Sequence, residues 1–325
     1  MNRNVIEATI VVTTCDRPEL AARAVASACA QTELRIEVLV VDDGTAQHYT
    51  PPSSDPRVRV ILTEGRVGVN PARNLGLAMA RGAWITFLDD DDELLPNMVE
   101  AALGAATTST LPRPVAVVTG MEELDPDGEV ELIRVPVSMT RGRHYFLEDL
   151  DTDERRGLAA YNTLFAPVSL LREIGGFDEE MAAWMHLDLM LRLNPVSSIE
   201  AVPDVAYRMY HHGEPRLSGK HRLRAEAMIR THEKHRDIFR QHPVMEAHHL
   251  SRTGVMYIRA GDWLRGLRLT VRGFLRSPRR PQALRQLVLG IGGPRAFAWY
   301  EGRKARQRSP SSAPLDRIDG QAGRP

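Results

Sequence analysis

The sequence predicts an α/β fold: a mostly parallel, Rossmann-like sheet flanked by helices, followed by a C-terminal helical region. Three observations predict it. Short apolar runs alternate with helix-spaced segments from Ala8 to Thr119. Two of those runs end in acids, Val41 in Asp42-Asp43 and Leu88 in Asp89-Asp90-Asp91-Asp92-Glu93. From Ser251 to Pro310 the pattern changes, with arginines recurring and Asp262 and Glu301 the only acids.

Each element has its own warrant. Ala8 to Thr14 reads as a buried strand. Asp16-Arg17-Pro18-Glu19 opens a helix, since Asp can cap, Pro fits the first turn and Glu favours the positive end. Glu37 to Val41 and Val58 to Leu62 are further strands. Pro71 starts a helix that Gly82 is placed to end. Trp84 to Leu88 favours a pleat through Trp, Ile, Thr and Phe. Pro96 starts another helix, Val115 to Thr119 is a strand, and Asp125-Pro126-Asp127-Gly128 is a turn between two antiparallel strands. Leu147 to Arg156 reads as loop or short helix, Tyr161 to Ile174 as strand then helix, and Met185 to Leu193 as a buried helix stopped by Pro195. Val202 to Met209 reads as a strand, and Leu217 to Phe239 as a charged helix. Arg276-Ser277-Pro278 and Gly290 to Pro294 read as breaks. The boundaries expected are a catalytic domain over 1–215 (halves of about 7–120 and 121–215), helices over 216–305, and a disordered tail over 306–325.

In a parallel sheet, ligands bind beyond the carboxyl ends of the strands. Thr13 to Asp16, Asp42-Asp43 and Asp89 to Asp92 therefore gather on one edge. Like charges about 5 Å apart repel by about 3 kcal/mol each at an effective dielectric near 20. The acidic run is thus a solvated loop or a cation site, and its oxygens suit Mg²⁺ or Mn²⁺. Arg73 and Asn74, in the first turn of the following helix, are placed to meet phosphate.

Composition bounds the rest. The 325 residues carry 43% hydrophobic and 26% charged residues and a formal net charge of zero, so no global field argues for nucleic acid. Cys15 and Cys29 lack metal-ligand spacing, and Met1 to Ile10 lacks a signal-peptide core; the expected setting is the cytoplasm.

The motifs Thr13-Thr14-Cys15-Asp16-Arg17-Pro18, Val41-Asp42-Asp43-Gly44, Gly68-Val69-Asn70-Pro71-Ala72-Arg73-Asn74 and Leu88-Asp89-Asp90-Asp91-Asp92 occur in order. With Gly175-Gly176-Phe177-Asp178-Glu179 and His211-His212 followed by Ser218, this set resembles the family 2 glycosyltransferases over roughly residues 7 to 220. The resemblance implies the GT-A fold and transfer of a sugar, with inversion, from a nucleotide-sugar (UDP-, TDP- or GDP-linked) to a glycan, lipid-linked or natural-product acceptor. It implies Mn²⁺ or Mg²⁺ on Asp91 and Asp89, and Asp90 near the donor ribose. Thr13, Asp16 and Asp43 would line the base and ribose, Arg73 the nucleotide, and His211 or His212 the donor phosphates.

The family's Glu-Asp pair before the buried helix is replaced here by Met185-His186, followed by Leu187-Asp188. Three readings stay open: His186 as the general base, Asp188 as the base from a shifted register, or no such base. A non-catalytic nucleotide-sugar-binding relative is the alternative function. A sugar-phosphate nucleotidyltransferase is disfavoured, because Thr13 to Glu19 has no Gly-rich loop. Asp178 is an acceptor-side candidate or a turn cap, and Trp184 a sugar-stacking ring or a core residue. His232, His235, His248 and His249 read as surface. The Arg-rich helices between Leu250 and Arg308 read as a solvated cap, a docking face for an anionic membrane carrying a lipid-linked acceptor, or a homo-oligomer interface.

Overall fold

The computed structural model describes residues 5–51, 55–143, 161–211 and 221–308. Leu147 to Arg156, His212, Ser218 and the tail beyond 308 lie outside the described residues.

Among the described residues nine strands form one sheet: β1 (Ala8–Thr14), β2 (Ile36–Asp42), β3 (Val58–Leu62), β4 (Trp84–Asp89), β5 (Glu93–Leu94), β6 (Val115–Leu124), β7 (Val130–Arg134), β8 (Phe165–Pro167) and β9 (Ser198–Tyr210). The order is β3-β2-β1-β4-β8-β6-β9-β5, with β7 paired to β6. The first four positions are parallel, as the alternation with helices predicts. β8 then runs antiparallel to both β4 and β6, so the sheet as a whole is mixed. The short β5, formed by the last acid of the run and Leu94, was not foreseen; it pairs with β9 and folds the acidic loop back onto the sheet.

Period-two alternation sorts the core. Val11, Leu39, Val41, Ile85 and Phe87 face one side, under α2 (Val69–Met79), α4 (Val168–Glu173) and α5 (Met185–Leu193). Ile10, Val12, Val38, Val40 and Leu88 face the other, under α1 (Pro18–Cys29) and α3 (Met98–Thr108). Every residue of β1 and β2 is buried, the mark of strands covered on both faces.

The C-terminal helices are α6 (His221–Lys234), α7 (Arg236–Gln241), α8 (Pro243–Arg259), α9 (Trp263–Arg276) and α10 (Pro281–Arg308). The single charged helix expected through Phe239 is therefore two helices, broken at His235. α10 kinks at Gly293, and it continues through residues 306–308, where a tail was expected. His232, His235 and His249 are buried, correcting the expectation of surface histidines. His232 pairs with Glu246 at 3.0 Å, and His249 Nε2 lies 2.7 Å from the Met228 carbonyl oxygen. These helices pack on one another, so part of each polar face turns inward and must find partners.

α8 and α9 cross closely because glycines meet at the crossing. A Cβ on Gly266 would lie 2.5 Å from both the Gly254 carbonyl oxygen and Ile258 Cγ1. Gly266→Val is expected to force the helices apart, costing about 2–3 kcal/mol and lowering the melting temperature by several degrees in a thermal scan. An unchanged melting temperature would mean the crossing tolerates the extra volume.

Candidate functional site

The strand ends align as the sheet rule requires. Thr13 lies opposite both Val41 and Asp89, and Thr14 opposite Asp42. The carboxyl ends of β1, β2 and β4 therefore share one edge.

The acidic run divides its labour by burial. Asp89, Asp91 and Asp92 each offer a carboxylate oxygen within 4.8 Å of the others. Asp89 accepts from Arg73 at 2.5 Å. Burial works to raise its pKa, but Arg73, helped by Arg17, holds it below the usual carboxylate range. Asp92 is buried and accepts from the Tyr207 hydroxyl at 2.7 Å and the Tyr210 amide at 3.2 Å. Burial and the charges of Asp89 and Asp91 push its pKa well up. Asp90 points inward instead. It accepts from Thr14 Oγ1 at 2.7 Å and from the Arg17 guanidinium, and burial raises it to about 6 against the Arg17 charge. Its carboxylate braces the end of β4 against Thr14 at the end of β1 and against Arg17.

Arg73 is buried, and its Nε and Nη1 have no hydrogen-bond partner among the described residues. Its guanidinium lies 5.3 Å from the Phe177 ring centroid, and the His186 ring meets the same phenyl edge-to-face at 5.7 Å. Asp89, Arg73, Phe177 and His186 thus form one contiguous group. Burial and the Arg73 charge push His186 down to about 3, with Asp89 opposing, so the imidazole is neutral at physiological pH.

Other expected residues are built into the loops. Asp16 adopts a left-handed conformation (φ 55°) and accepts the amides of Thr45, Ala46 and Gln47. Those bonds hold its carboxyl at about 2. Asp43 accepts the amides of Val67 and Gly68 at 2.7 and 2.8 Å. Both carboxylates pin the loops that rim the edge. Thr13 is buried beside Asp89 in the register. His211 directs Nε2 to Glu123 at 3.1 Å, so its imidazole is held on β6.

Asp188 does not join the group. It is fully buried on α5, where Arg192 donates at 2.8 and 2.9 Å and Lys234 and His235 approach its other oxygen at 2.9 and 2.8 Å. Burial would raise its pKa, but these partners hold it well below the usual range. Both oxygens of Asp188 are thus already taken up by donors, which sets it apart from the Asp89 group. Asp178 caps its turn through the Glu180 amide and pairs with Lys234 at 2.7 Å. The guanidinium carbons of Arg224 and Arg252 lie 5.1 and 4.6 Å from the Trp184 ring centroid, so arginine covers the ring on which a sugar would stack.

Residues 9–119 match the family described as Glycosyl transferase family 2. That match spans about a third of the chain and holds the ends of β1, β2 and β4. It is similar to the succinoglycan biosynthesis protein ExoO of Rhizobium meliloti, 36% identical over 40% of this chain and 39% of that protein. It is also similar to the colanic acid biosynthesis glycosyl transferase WcaA of Escherichia coli, 34% identical over 29% of this chain and 36% of that one. The chain thus covers well under half the length of these relatives. TarS 1-349 of S. aureus, solved in complex with UDP-GlcNAc, aligns at 15% identity and a TM-score of 0.49 over 85% of this chain and 93% of that one.

Within residues 9–119, sequence reasoning missed Thr14, Arg17 and Asp92. Thr14 and Arg17 stood inside a quoted motif, but their partner Asp90 is 76 and 73 residues away. Asp92 lay in the acidic run, but its burial depends on Tyr207 of β9, beyond the family match.

Proposed function

We propose that the chain is an inverting, metal-dependent glycosyltransferase that moves a sugar from a nucleotide-sugar to a hydroxyl of a growing glycan. The observation that carries this is the clustering of Asp89, Asp91 and Asp92 beside Arg73, a buried cation with two N–H groups unpartnered. The donor set fits a hard divalent cation such as Mn²⁺ or Mg²⁺: three carboxylate oxygens, with Asp92 driven toward its protonated form unless positive charge arrives. When bound, the ion would supply positive charge against the departing diphosphate.

The chain's own residues do the rest. Arg73 offers its free N–H groups to phosphate oxygens, where charge grows as the sugar leaves. Asp16 and Asp43, through the loops they pin, frame the nucleoside side of the donor with Thr13. His186, neutral and next to Asp89, takes the acceptor hydroxyl proton. The glycan acceptor is supported by relatives named for succinoglycan and colanic acid biosynthesis and by the chondroitin synthase of Pasteurella multocida, 25% identical over 59% of this chain.

A second reading, donor binding without turnover, is favoured by the low basicity of His186. A panel of nucleotide-sugars with Mn²⁺ separates the two. The matching donor is expected to raise the melting temperature by several degrees at saturation, because binding the folded state stabilises it by roughly 3 kcal/mol at 100 times Kd. Nucleoside diphosphate should then be released once an acceptor glycan is added. A thermal shift without release across the panel would favour the binding protein, and no shift with any donor would end both readings.

A further inference from the structure

α10 is apolar on two opposite sides before its kink. Ala283 and Leu289 are buried, Leu289 packing with Ile258 and Phe297. Leu284, Val288 and Ile291 recur at i, i+4 and i+7 on the other side, and they are 49%, 58% and 61% exposed. Trp299 beyond the kink is 63% exposed, and α9 adds Leu264 and Leu275 at 61% and 68%. Nothing else among the described residues covers this stripe. Between Trp263 and Tyr300 the sequence has eight arginines and no Asp or Glu. Arg276 pairs with Glu246, whereas Arg268, Arg279, Arg280 and Arg295 pair with no carboxylate among the described residues. Trp263 ties the two helices together, its Nε1 donating to the Gly290 carbonyl at 2.8 Å.

From this we infer that α9 and α10 form a docking surface for an anionic lipid bilayer. An exposed apolar stripe with Trp, flanked by unpaired arginines, matches an interfacial helix: the apolar side enters the acyl boundary while the cations meet lipid phosphates. No helix among the described residues is long and apolar enough to cross a membrane, so the contact is with the surface. A second copy of the chain fits less well. A two-fold interface sets the same patch against itself, and here that would bring arginine against arginine with no acid to offset it. Docking would hold the glycosyltransferase domain beside lipid-carried acceptors, but the inference is independent of whether sugar transfer occurs.

The test is co-sedimentation of the full chain with vesicles of phosphatidylcholine alone or mixed with phosphatidylglycerol. Binding to the mixed vesicles is expected to exceed binding to phosphatidylcholine by about ten-fold or more, and to weaken as salt rises. The double variant Leu284→Glu/Ile291→Glu should lose that binding about ten-fold while its melting temperature stays unchanged or rises, since both side chains face outward. Equal binding to both vesicle types, or no binding to either, overturns the inference. So does a concentration-dependent dimer that the same double variant abolishes, because a second copy would then cover the stripe.

Discussion

Arg73→Met is expected to lower turnover at saturating donor by about 100-fold or more, the scale seen when a preorganised donor to developing charge is removed. The argument rests on what the side chain leaves undone. One N–H reaches Asp89, while Nε and Nη1 are buried without hydrogen-bond partners among the described residues. A buried, unsatisfied donor costs about 1–3 kcal/mol, so the fold gains little by keeping Arg73 as it is. The substitution should therefore separate activity from stability. Nucleoside diphosphate release collapses while the melting temperature moves by only a few degrees, since methionine keeps the packing against Phe177. Asp89 would drift back toward the ordinary carboxylate range once its main cationic partner is gone. Turnover within a few-fold of the unsubstituted chain would show that Arg73 is a structural partner of Asp89 and nothing more.

Asp188→Asn is expected to show the reverse split, with stability lost first. Removing one charge from a buried cluster leaves Arg192 without its carboxylate and Lys234 with Asp178 alone, at about 3–5 kcal/mol for fully enclosed partners. Arg192 and Lys234 keep 19% and 32% of their side chains exposed, which brings the expected loss nearer about 3 kcal/mol. The pH dependence fixes the sign. Asp188 has a depressed pKa in the fold. Its contribution is complete above the unfolded value near 4 and is lost as pH falls through the lower folded value. Melting curves of the two proteins should therefore differ most at neutral pH and converge in acid. A constant difference across the acid range would assign the loss to packing instead of charge.

Much of the fold was legible because local pattern and position agree in the first 120 residues. The parallel order of β1, β2 and β4 follows from apolar runs alternating with helix-spaced segments, β3 joins it through a segment with no helix among the described residues, and the shared edge follows from parallel pairing. What escaped notice depends on contacts remote in sequence. The roles of Asp89, Asp90 and Asp92 look equivalent in the string Asp-Asp-Asp-Asp. They separate only when Thr14, Arg17 and Tyr207 arrive from elsewhere. Asp188 looked available because helix spacing shows which face is buried, but not that Lys234 and His235 wait there. Buried histidines in α6 and α8 were misread for the same reason, since composition marks a helix as charged without saying which charges are satisfied inside.

The left-handed residue that begins α5, Trp184 (φ 60°), is gripped by guanidinium groups from α6 and α8, two positions ahead of His186. The far third of the chain thus holds the backbone turn from which the His186 helix starts, whereas Asp43 and Asp89 are set by the opening strands. A substitution at Arg224 or Arg252 can therefore shift His186 while leaving the strand ends that carry Asp43 and Asp89 in place, so the two ends of the chain act on this group as nearly separate dials.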